Sequence, residues 1–374
     1  MRTLFRLVRH WRPLPATLIE VRISAAALLA NYEAYEDTYG LPVAPVLKSN
    51  AYGHGLLPTA TVLAPKRPPF FVVDSYYEAH MLRQQGILDP ILIVGFVAPD
   101  RIKKNRLRNV SFVVTSLEGL QMLVEHSVRE KVHIKLDTGM RRQGLLPDQV
   151  PAAIKLLQES AIEVEGVCSH FASADSSPEF TRQQIKEWNA QVPVWQKAFP
   201  HMRYWHIAAS AGAAYTNECH ANLIRLGAGL YGFERIPERA LPLTPALSVH
   251  SMLTVVKDIQ PGEMVGYNGT FEAHKSMRIG TVPVGYFEGF DRRLSNRAVM
   301  QIKNTPCPVI GRVSMNMSTI DVSGYKDAVL GTPVVVVSDN PTDLNSVSAL
   351  SQLCDTSPLE FLVHIPSHLR RVIV

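Results

Sequence analysis

Residues 132–137 read Val-His-Ile-Lys-Leu-Asp, a short and mostly apolar run that ends in charged side chains. Similar Val- and Ile-rich runs recur along the first two thirds of the chain at a loose spacing of roughly twenty residues. The runs are Ala44–Lys48, Phe70–Asp74, Ile91–Gly95, Val110–Thr115, Val132–Asp137, Val164–His170, Trp205–Ser210 and Leu223–Gly227. Nearly continuous apolar runs are typical of strands that are covered on both faces, as the strands of parallel sheets are.

Segments with helix signals separate these runs. Ser75 is followed three residues later by Glu78, which predicts a capping box, and Gly86 stands where that helix would end. The predicted helices include Ala25–Tyr35, Leu117–His126 and Asp148–Glu159. Strand and helix alternating eight times predicts a (β/α)8 barrel of the TIM type.

The pattern changes after about Leu243. Alternation of apolar and polar residues replaces helical spacing, for example in Ser248–Val256 and Met277–Val284, and turn signals such as Asn268-Gly269 separate the runs. We therefore predict a basic N-terminal tail at residues 1–13, a barrel at residues 14–243 and a mostly β domain at residues 244–374.

Composition narrows the possible functions. A net charge of +5 on 374 residues, with both signs interspersed, does not indicate a nucleic-acid partner. The four cysteines lack metal-ligand spacing, so we expect no metal site and a reducing, cytoplasmic location. No apolar run reaches the ~18 residues of a membrane span.

In a barrel of this type, function collects where the strands end. The ends of the predicted strands carry Lys48, Lys135, His170, Ser210 and Arg225. A lysine is a useful nucleophile toward an aldehyde only when its amine is deprotonated, and a barrel mouth shared with other cations lowers the pKa of such an amine. The sequence therefore predicts a reactive lysine at a cationic rim.

Several segments, in order, resemble the alanine racemase family. Lys48-x-x-Ala51-Tyr52-Gly53-His54-Gly55 is similar to the segment whose lysine binds pyridoxal phosphate covalently. Four later segments also match the family in order and spacing, and they are Lys135–Arg142, Ser169–Ala172, Ala208–Gly212 and Arg225–Gly232. Val265-Gly266-Tyr267 resembles the segment of the catalytic tyrosine. Gly285-Tyr286 and Gly311–Asn316 resemble the two segments that complete the substrate pocket.

The resemblance implies an alanine racemase with pyridoxal phosphate as its cofactor, which supplies D-alanine for peptidoglycan. Lys48 and Tyr267 would be the two bases, one on each face of the substrate. The implied cofactor-binding residues are Lys48, Tyr52, His170, Ser210, Arg225, Gly227 and Ala228, and the implied substrate-binding residues are Arg142, Tyr286 and Met315. Lys135 is the implied site of carbamylation. The family's tyrosine reaches the lysine of the other subunit, which implies a head-to-tail homodimer.

Some positions depart from the family pattern. Ser367 stands where the family often has an aromatic residue that narrows the pocket, and Asn316 replaces a frequent aspartate. A smaller residue at position 367 leaves open a racemase of broader range, acting on serine or a larger amino acid. A pyridoxal-phosphate decarboxylase of the same architecture and a non-catalytic vitamin-B6-binding protein are two further possibilities. Arg225 and Tyr267 argue against the decarboxylase, and the second domain argues against the binding protein.

Overall fold

A computed structural model describes residues 17–233 and 241–374. The predicted basic tail, residues 1–13, lies outside the described residues. The chain divides into two compact units. One, here the barrel unit, comprises residues 22–233, 241–247, 338–367 and 371–374 of the described chain, and the other, here the β unit, comprises residues 17–21, 248–337 and 368–370.

Eight parallel strands form the barrel unit, as predicted. After a leading strand, β1 (Glu20–Ile23), they are β2 (Val43–Pro45), β3 (Phe71–Val73), β4 (Ile91–Ile93), β5 (Val110–Val114), β6 (Lys131–Lys135), β7 (Glu163–Cys168), β8 (Tyr204–His206) and β9 (Ile224–Leu226). Strands β3 to β8 pair in chain order, and β2 pairs with β9. The amide of Leu47 donates to Val72 O at 2.7 Å and that of Arg225 to Ala208 O at 3.1 Å, so hydrogen bonds run around the whole ring.

Helices of the barrel unit alternate with these strands. They are α1 (Ala25–Tyr39), α2 (Leu56–Leu63), α3 (Tyr76–Gln84), α4 (Pro99–Lys103), α5 (Leu117–Glu125), α6 (Val150–Gln158) and α7 (Pro178–Ala198). The predicted capping box is present, because Ser75 Oγ accepts from the Glu78 amide at 3.2 Å and the Glu78 carboxylate accepts from the Ser75 amide at 3.3 Å. Helix α1 continues four residues beyond its predicted end and stops at Gly40, whose φ of 63° ends it.

The β unit is mostly antiparallel. Its strands include β10 (Leu247–Met252), β11 (Val255–Ile259), β12 (Met264–Val265), β13 (Phe271–Glu272), β14 (Met277–Val282), β15 (Val299–Ile302), β16 (Thr305–Ile310), β17 (Ser318–Asp321) and β18 (Pro333–Val337). Seven of them lie side by side in the order β11-β14-β17-β16-β15-β18-β10. The predicted single strand Ser248–Val256 is two strands, because the chain breaks its pairing between Met252 and Val255.

A late segment of the chain packs within the barrel unit. It carries helices α8 (Val347–Leu353) and α9 (Pro358–Val363), which were not predicted from the sequence, and strand β19 (Arg371–Ile373) follows. The Arg371 guanidinium donates to Gly53 O at 2.8 Å, and a Cβ added to Gly53 would lie 2.1 Å from Leu362 O. The predicted boundary between the barrel and the β domain, near residue 243, stays a prediction. No helix in the described residues is long and apolar enough to cross a membrane.

Candidate active site

Lys48 follows β2 and opens a turn of left-handed backbone. Ser49, Asn50, Ala51 and Tyr52 all have φ between 52° and 56°, although none of them is glycine. Left-handed backbone costs roughly 1–2 kcal/mol for each such residue, so other contacts must hold the turn. Asn50 supplies two, because its amide donates to Glu78 Oε1 at 3.3 Å and its Oδ1 accepts from the Leu56 amide at 2.9 Å. Strain that the surroundings enforce is typical of functional sites.

A cavity of about 330 Å³ lies where the barrel strands end. Nine of the residues predicted from the sequence line it together, and they are Lys48, Tyr52, Lys135, Arg142, His170, Ser210, Arg225, Gly227 and Ala228. Barrels of this type place their active sites at this end of the strands. The structure therefore brings the predicted rim residues of the barrel unit into one site.

The loops after β8 and β9 form one wall of this cavity. Ser210 Oγ accepts from the Gly227 amide at 3.2 Å and from the Gly229 amide at 3.0 Å. Tyr52 Oη reaches the same place, because a Cβ added to Gly227 would lie 3.0 Å from it. Burial raises the pKa of Tyr52 to about 12, so its hydroxyl stays protonated and can donate. Hydroxyl groups and backbone amides that meet in this way suit a phosphate group, which barrels commonly bind at these two loops.

Cationic side chains also line this cavity. Burial lowers the pKa of Lys135, and the charges of Arg225, Arg142 and Lys48 lower it further. Burial also lowers the pKa of His170 well below its usual value, with Arg225 the largest charged contributor, so the imidazole is neutral. Four cationic side chains around one cavity suit a ligand that carries negative charge.

The floor of the cavity is Arg225, which is 8% exposed. Its NH2 group donates to the carbonyl oxygens of Ser169 at 2.7 Å and Ile207 at 3.1 Å, and to His170 Nδ1 at 3.2 Å. Its NH1 group donates to the carbonyl oxygen of His206 at 2.9 Å and to Nδ1 of the same residue. An arginine does not lose its proton at neutral pH, so this side chain supplies a fixed positive charge.

The cavity is also lined by residues that were not predicted from the sequence as site residues. His206, Cys168 and Leu359 are among them. His206 ends strand β8, and a histidine at a strand end was the available signal. No pattern indicated Leu359, because it comes from α9, within a segment that was assigned to the β domain.

Three predicted site residues belong to the β unit. Tyr267, Tyr286 and Met315 are 66%, 43% and 54% exposed. Their loops are joined, because the Tyr286 amide donates to Ser314 O at 3.1 Å and a Cβ added to Gly311 would lie 2.6 Å from Val265 O. The β unit thus presents these side chains on neighbouring loops.

Two departures from the family pattern also lie in the described chain. Asn316 donates from Nδ2 to Glu288 Oε1 at 2.7 Å, so a carboxylate of another residue lies beside the position that is often aspartate. Ser367 ends the segment that carries α9, is exposed, and is not among the described residues that line the cavity.

Comparisons with known proteins agree over both units. The family model of the alanine racemase N-terminal domain matches residues 23–235, and that of the C-terminal domain matches residues 246–373. The alanine racemase of Lactobacillus gasseri is 35% identical over 368 residues, which cover 94% of this chain and 96% of the relative. That of Syntrophobacter fumaroxidans is 35% identical over 356 residues, covering 92% and 94%.

Solved structures give the same result. The alanine racemase of Clostridium difficile 630 superimposes with a TM-score of 0.89 at 26% identity, covering 96% of this chain and 97% of that one. The alanine racemase from Bacillus anthracis with bound L-Ala-P superimposes with a TM-score of 0.86 at 26% identity, covering 97% and 96%. The chain belongs to the alanine racemase family.

Proposed function

We propose that this protein is an alanine racemase that uses pyridoxal phosphate to interconvert L- and D-alanine. The observation that carries the proposal is the single cavity in which Lys48, the Ser210 wall and Arg225 meet. The relatives that cover almost the whole chain are alanine racemases, which supports the same activity.

The residues of the cavity fit pyridoxal phosphate. The wall of Ser210, Tyr52 and the Gly227–Ala228 backbone would hold the phosphate, Lys48 offers an amine for covalent attachment, and Arg225 offers a cation for the ring nitrogen. When bound, this cofactor stabilises the negative charge that is left on the substrate's α-carbon after a proton departs.

The protein's own groups then have to move protons. Lys48 Nζ would remove or return the α-proton on one face of the substrate, and Tyr267 Oη would do so on the other. Arg225 holds a positive charge at the floor and does not act as an acid, so it would leave the ring nitrogen of a bound cofactor unprotonated. His170 is neutral and accepts from Arg225 through Nδ1, so its other nitrogen carries the proton.

Two further cationic residues of the cavity, Arg142 and Lys135, would orient the substrate. The guanidinium of Arg142 suits bidentate binding of a carboxylate. Because the pKa of Lys135 is lowered, more of its amine is neutral and available for carbamylation by carbon dioxide. Carbamylation would convert a repulsive cation beside Arg142 into an anion that attracts it.

We also propose that the active protein is a homodimer with shared sites. Tyr267, Tyr286 and Met315 form an exposed, largely apolar surface on joined loops, which a second copy of the chain would cover. In this arrangement Tyr267 of the partner subunit faces Lys48.

The four cysteines are free and buried, which suits a cytoplasmic location.

Two further points concern the range of amino-acid substrates and the use of the product. Ser367 is exposed and lies outside the lining of the cavity, so its small side chain does not widen the space that receives the substrate. The product D-alanine would serve peptidoglycan synthesis.

A decarboxylase of the same architecture is the second candidate, and the arginine at the floor argues against it, because those enzymes usually have an acidic partner there.

Covalent attachment and racemisation test the proposal together. The protein loaded with pyridoxal phosphate should show a visible absorbance band that borohydride removes, and chiral chromatography should show racemisation of L-alanine without release of an amine. Lys48→Ala should lose the reducible band and about 1,000-fold or more of the activity. Lys135→Ala, the matched control, should keep the band. A reducible band that persists in Lys48→Ala would show that a different lysine binds the cofactor.

A further inference from the structure

A line of polar side chains runs through the barrel interior from the opposite face to Arg225, and only its first member, Glu165, is partly exposed. It consists of Glu165 on β7, His133 on β6 and His206 on β8, and both histidines are fully buried. His133 Nε2 lies 3.4 Å from Glu165 Oε2, and His133 Nδ1 lies 2.8 Å from His206 Nε2. His206 Nδ1 contacts Arg225 NH1. Each side chain therefore touches the next, and the last one is the floor of the active site.

The donor at each contact can be assigned. Arg225 has only donors, so His206 Nδ1 must accept. A neutral His206 then carries its proton on Nε2 and donates to His133 Nδ1. His133 in turn carries its proton on Nε2 and donates to Glu165. All the hydrogen bonds point the same way, from Arg225 toward the carboxylate, and Glu165 is the terminal acceptor.

The charges support this assignment. Burial lowers the pKa of both His133 and His206, and Arg225 lowers them further. Glu165 raises the pKa of His133, but burial outweighs it, so each ring is neutral and carries one proton. Burial alone would raise the pKa of Glu165, but hydrogen bonds from His133 and Ser111 outweigh it and hold that pKa at about 2. The line thus ends in a carboxylate that is ionised at neutral pH.

Other groups hold Glu165 in place at the N-terminal ends of the strands. Lys131 Nζ lies 3.1 Å from Glu165 Oε1, and the Ser111 hydroxyl donates to Oε2. Arg203 and Tyr204 lie beside Glu165 and line the same cavity of about 400 Å³. This cavity is separate from the active-site cavity, and no described residue lines both. Glu165 therefore lies on the face of the barrel away from the substrate.

We propose that Glu165 is a positioning residue for the racemase reaction, which orients and polarises Arg225 through His133 and His206. The proposal rests on the proposed function. Fixed proton positions on the two imidazoles present an acceptor to Arg225, and that acceptor holds the planar guanidinium in its orientation at the floor of the cavity. The negative charge at the far end also offsets part of the positive charge that Arg225 places beside the ring of a bound cofactor.

Removing that charge changes the line in a defined way. Glu165→Gln keeps the size of the side chain but can present an NH2 group to His133. His133 can then carry its proton on Nδ1 and donate to His206 Nε2, so that the proton of His206 moves to Nδ1 and faces Arg225. Arg225 would lose one acceptor and regain its full positive charge at the cofactor.

Glu163→Gln is the matched control. Glu163 lies on the same strand, and its carboxylate also pairs with Lys131, at 3.5 Å, whereas the carboxylate that contacts His133 is that of Glu165. Both variants lose a negative charge beside Lys131, and only one loses the terminal acceptor of the line.

The experiment compares the two variants as holoenzymes. We expect Glu165→Gln to lower kcat for alanine by about 10-fold with KM within about twofold, and to shift the pH dependence of the visible spectrum of the bound cofactor. Glu163→Gln should match the unmodified protein in both measurements. Equal behaviour of the two variants would overturn the proposal.

A second measurement does not depend on either variant's folding. ¹⁵N NMR of the histidine-labelled holoenzyme reports which ring nitrogen carries the proton, with His133→Gln and His206→Gln used only to assign the signals. We expect protonation at Nε2 in both rings, and a proton on Nδ1 of His206 would overturn the proposal. If the rings are protonated as expected but alanine is not racemised, the proposed function is wrong and the positioning of Arg225 stands.

Discussion

Acid should destabilise this protein through His54, which lies in the segment that carries Lys48 and Tyr52. The imidazole is fully buried and lies 4.4 Å from the ring of Tyr231. Its Nδ1 lies 3.1 Å from Tyr52 O, and because a carbonyl only accepts, Nδ1 carries the proton. Nε2 has no hydrogen-bond partner among the described residues. A second proton, on Nε2, would therefore have no hydrogen-bond acceptor, and the positive charge would be buried.

The magnitude follows from the two pKa values. Burial lowers the pKa of His54 to about 4, whereas a histidine in the unfolded chain has a pKa of ~6.5. The unfolded state binds more protons between these values, so stability is fully present above about pH 6.5 and is lost as the pH falls toward about 4. At about 1.4 kcal/mol for each pH unit, His54 alone accounts for about 3 kcal/mol of that loss.

Comparison with His54→Phe isolates this contribution, because other buried histidines affect both proteins equally. Phenylalanine keeps the contact with Tyr231 but neither titrates nor donates to Tyr52 O. At pH 7 the variant should be less stable by about 1–3 kcal/mol, the cost of an unsatisfied buried carbonyl. Urea unfolding followed by circular dichroism, at one protein concentration, should show this difference shrinking or reversing by pH 4.5. A difference that stays constant from pH 7 to pH 4.5 would refute the reasoning.

Further predictions concern the bases, the pocket and the left-handed turn. In heavy water, Tyr267→Phe should slow exchange of the α-hydrogen of L-alanine by about 100-fold or more but leave exchange of D-alanine through Lys48 within about tenfold. Mixed subunits of Lys48→Ala and Tyr267→Phe should recover activity if sites are shared, and no recovery after proven subunit exchange would mean that each chain builds its own site. Ser367→Tyr should leave the alanine-to-serine ratio of kcat/KM unchanged, because Ser367 is exposed and does not line the cavity, and a rise of about 10-fold would place it in the pocket. Ser49→Gly should raise the free energy of unfolding by about 0.5–1 kcal/mol because it relieves the left-handed backbone, whereas Ser49→Ala should bring no gain.

The barrel could be predicted from the sequence because its strands have clear local signals. Ile91–Ile93 and Val110–Val114 are buried along their whole lengths, so each is an apolar run with a clear beginning and end. The late segment with α8 and α9 could not be predicted in the same way. Its helices are only seven and six residues long, too short for a periodic pattern, and their place is set by contacts with residues far away in the chain.

The left-handed turn was also beyond sequence reasoning. Propensity predicts ordinary backbone for Ser49 to Tyr52, since glycine is the residue that usually takes a positive φ. The contacts that override propensity come from elsewhere, and Glu78 on α3 is the clearest of them. The motif that contains Lys48 identified which residues matter, but only the tertiary contacts determine how the backbone presents them.

The hydrogen bonds of Arg225 explain why this position needs an arginine and not simply a cation. Its two terminal nitrogens meet three backbone carbonyls and two imidazole nitrogens, from the residues that follow β7 and from the end of β8. A lysine ammonium has three donors at a single point and could not reach acceptors spread over two strands. Those carbonyls are buried, so leaving them unsatisfied would cost about 1–3 kcal/mol each. The same planar group that sets the charge at the floor of the site therefore also ties the ends of two strands together, and Arg225→Lys would impair both roles at once.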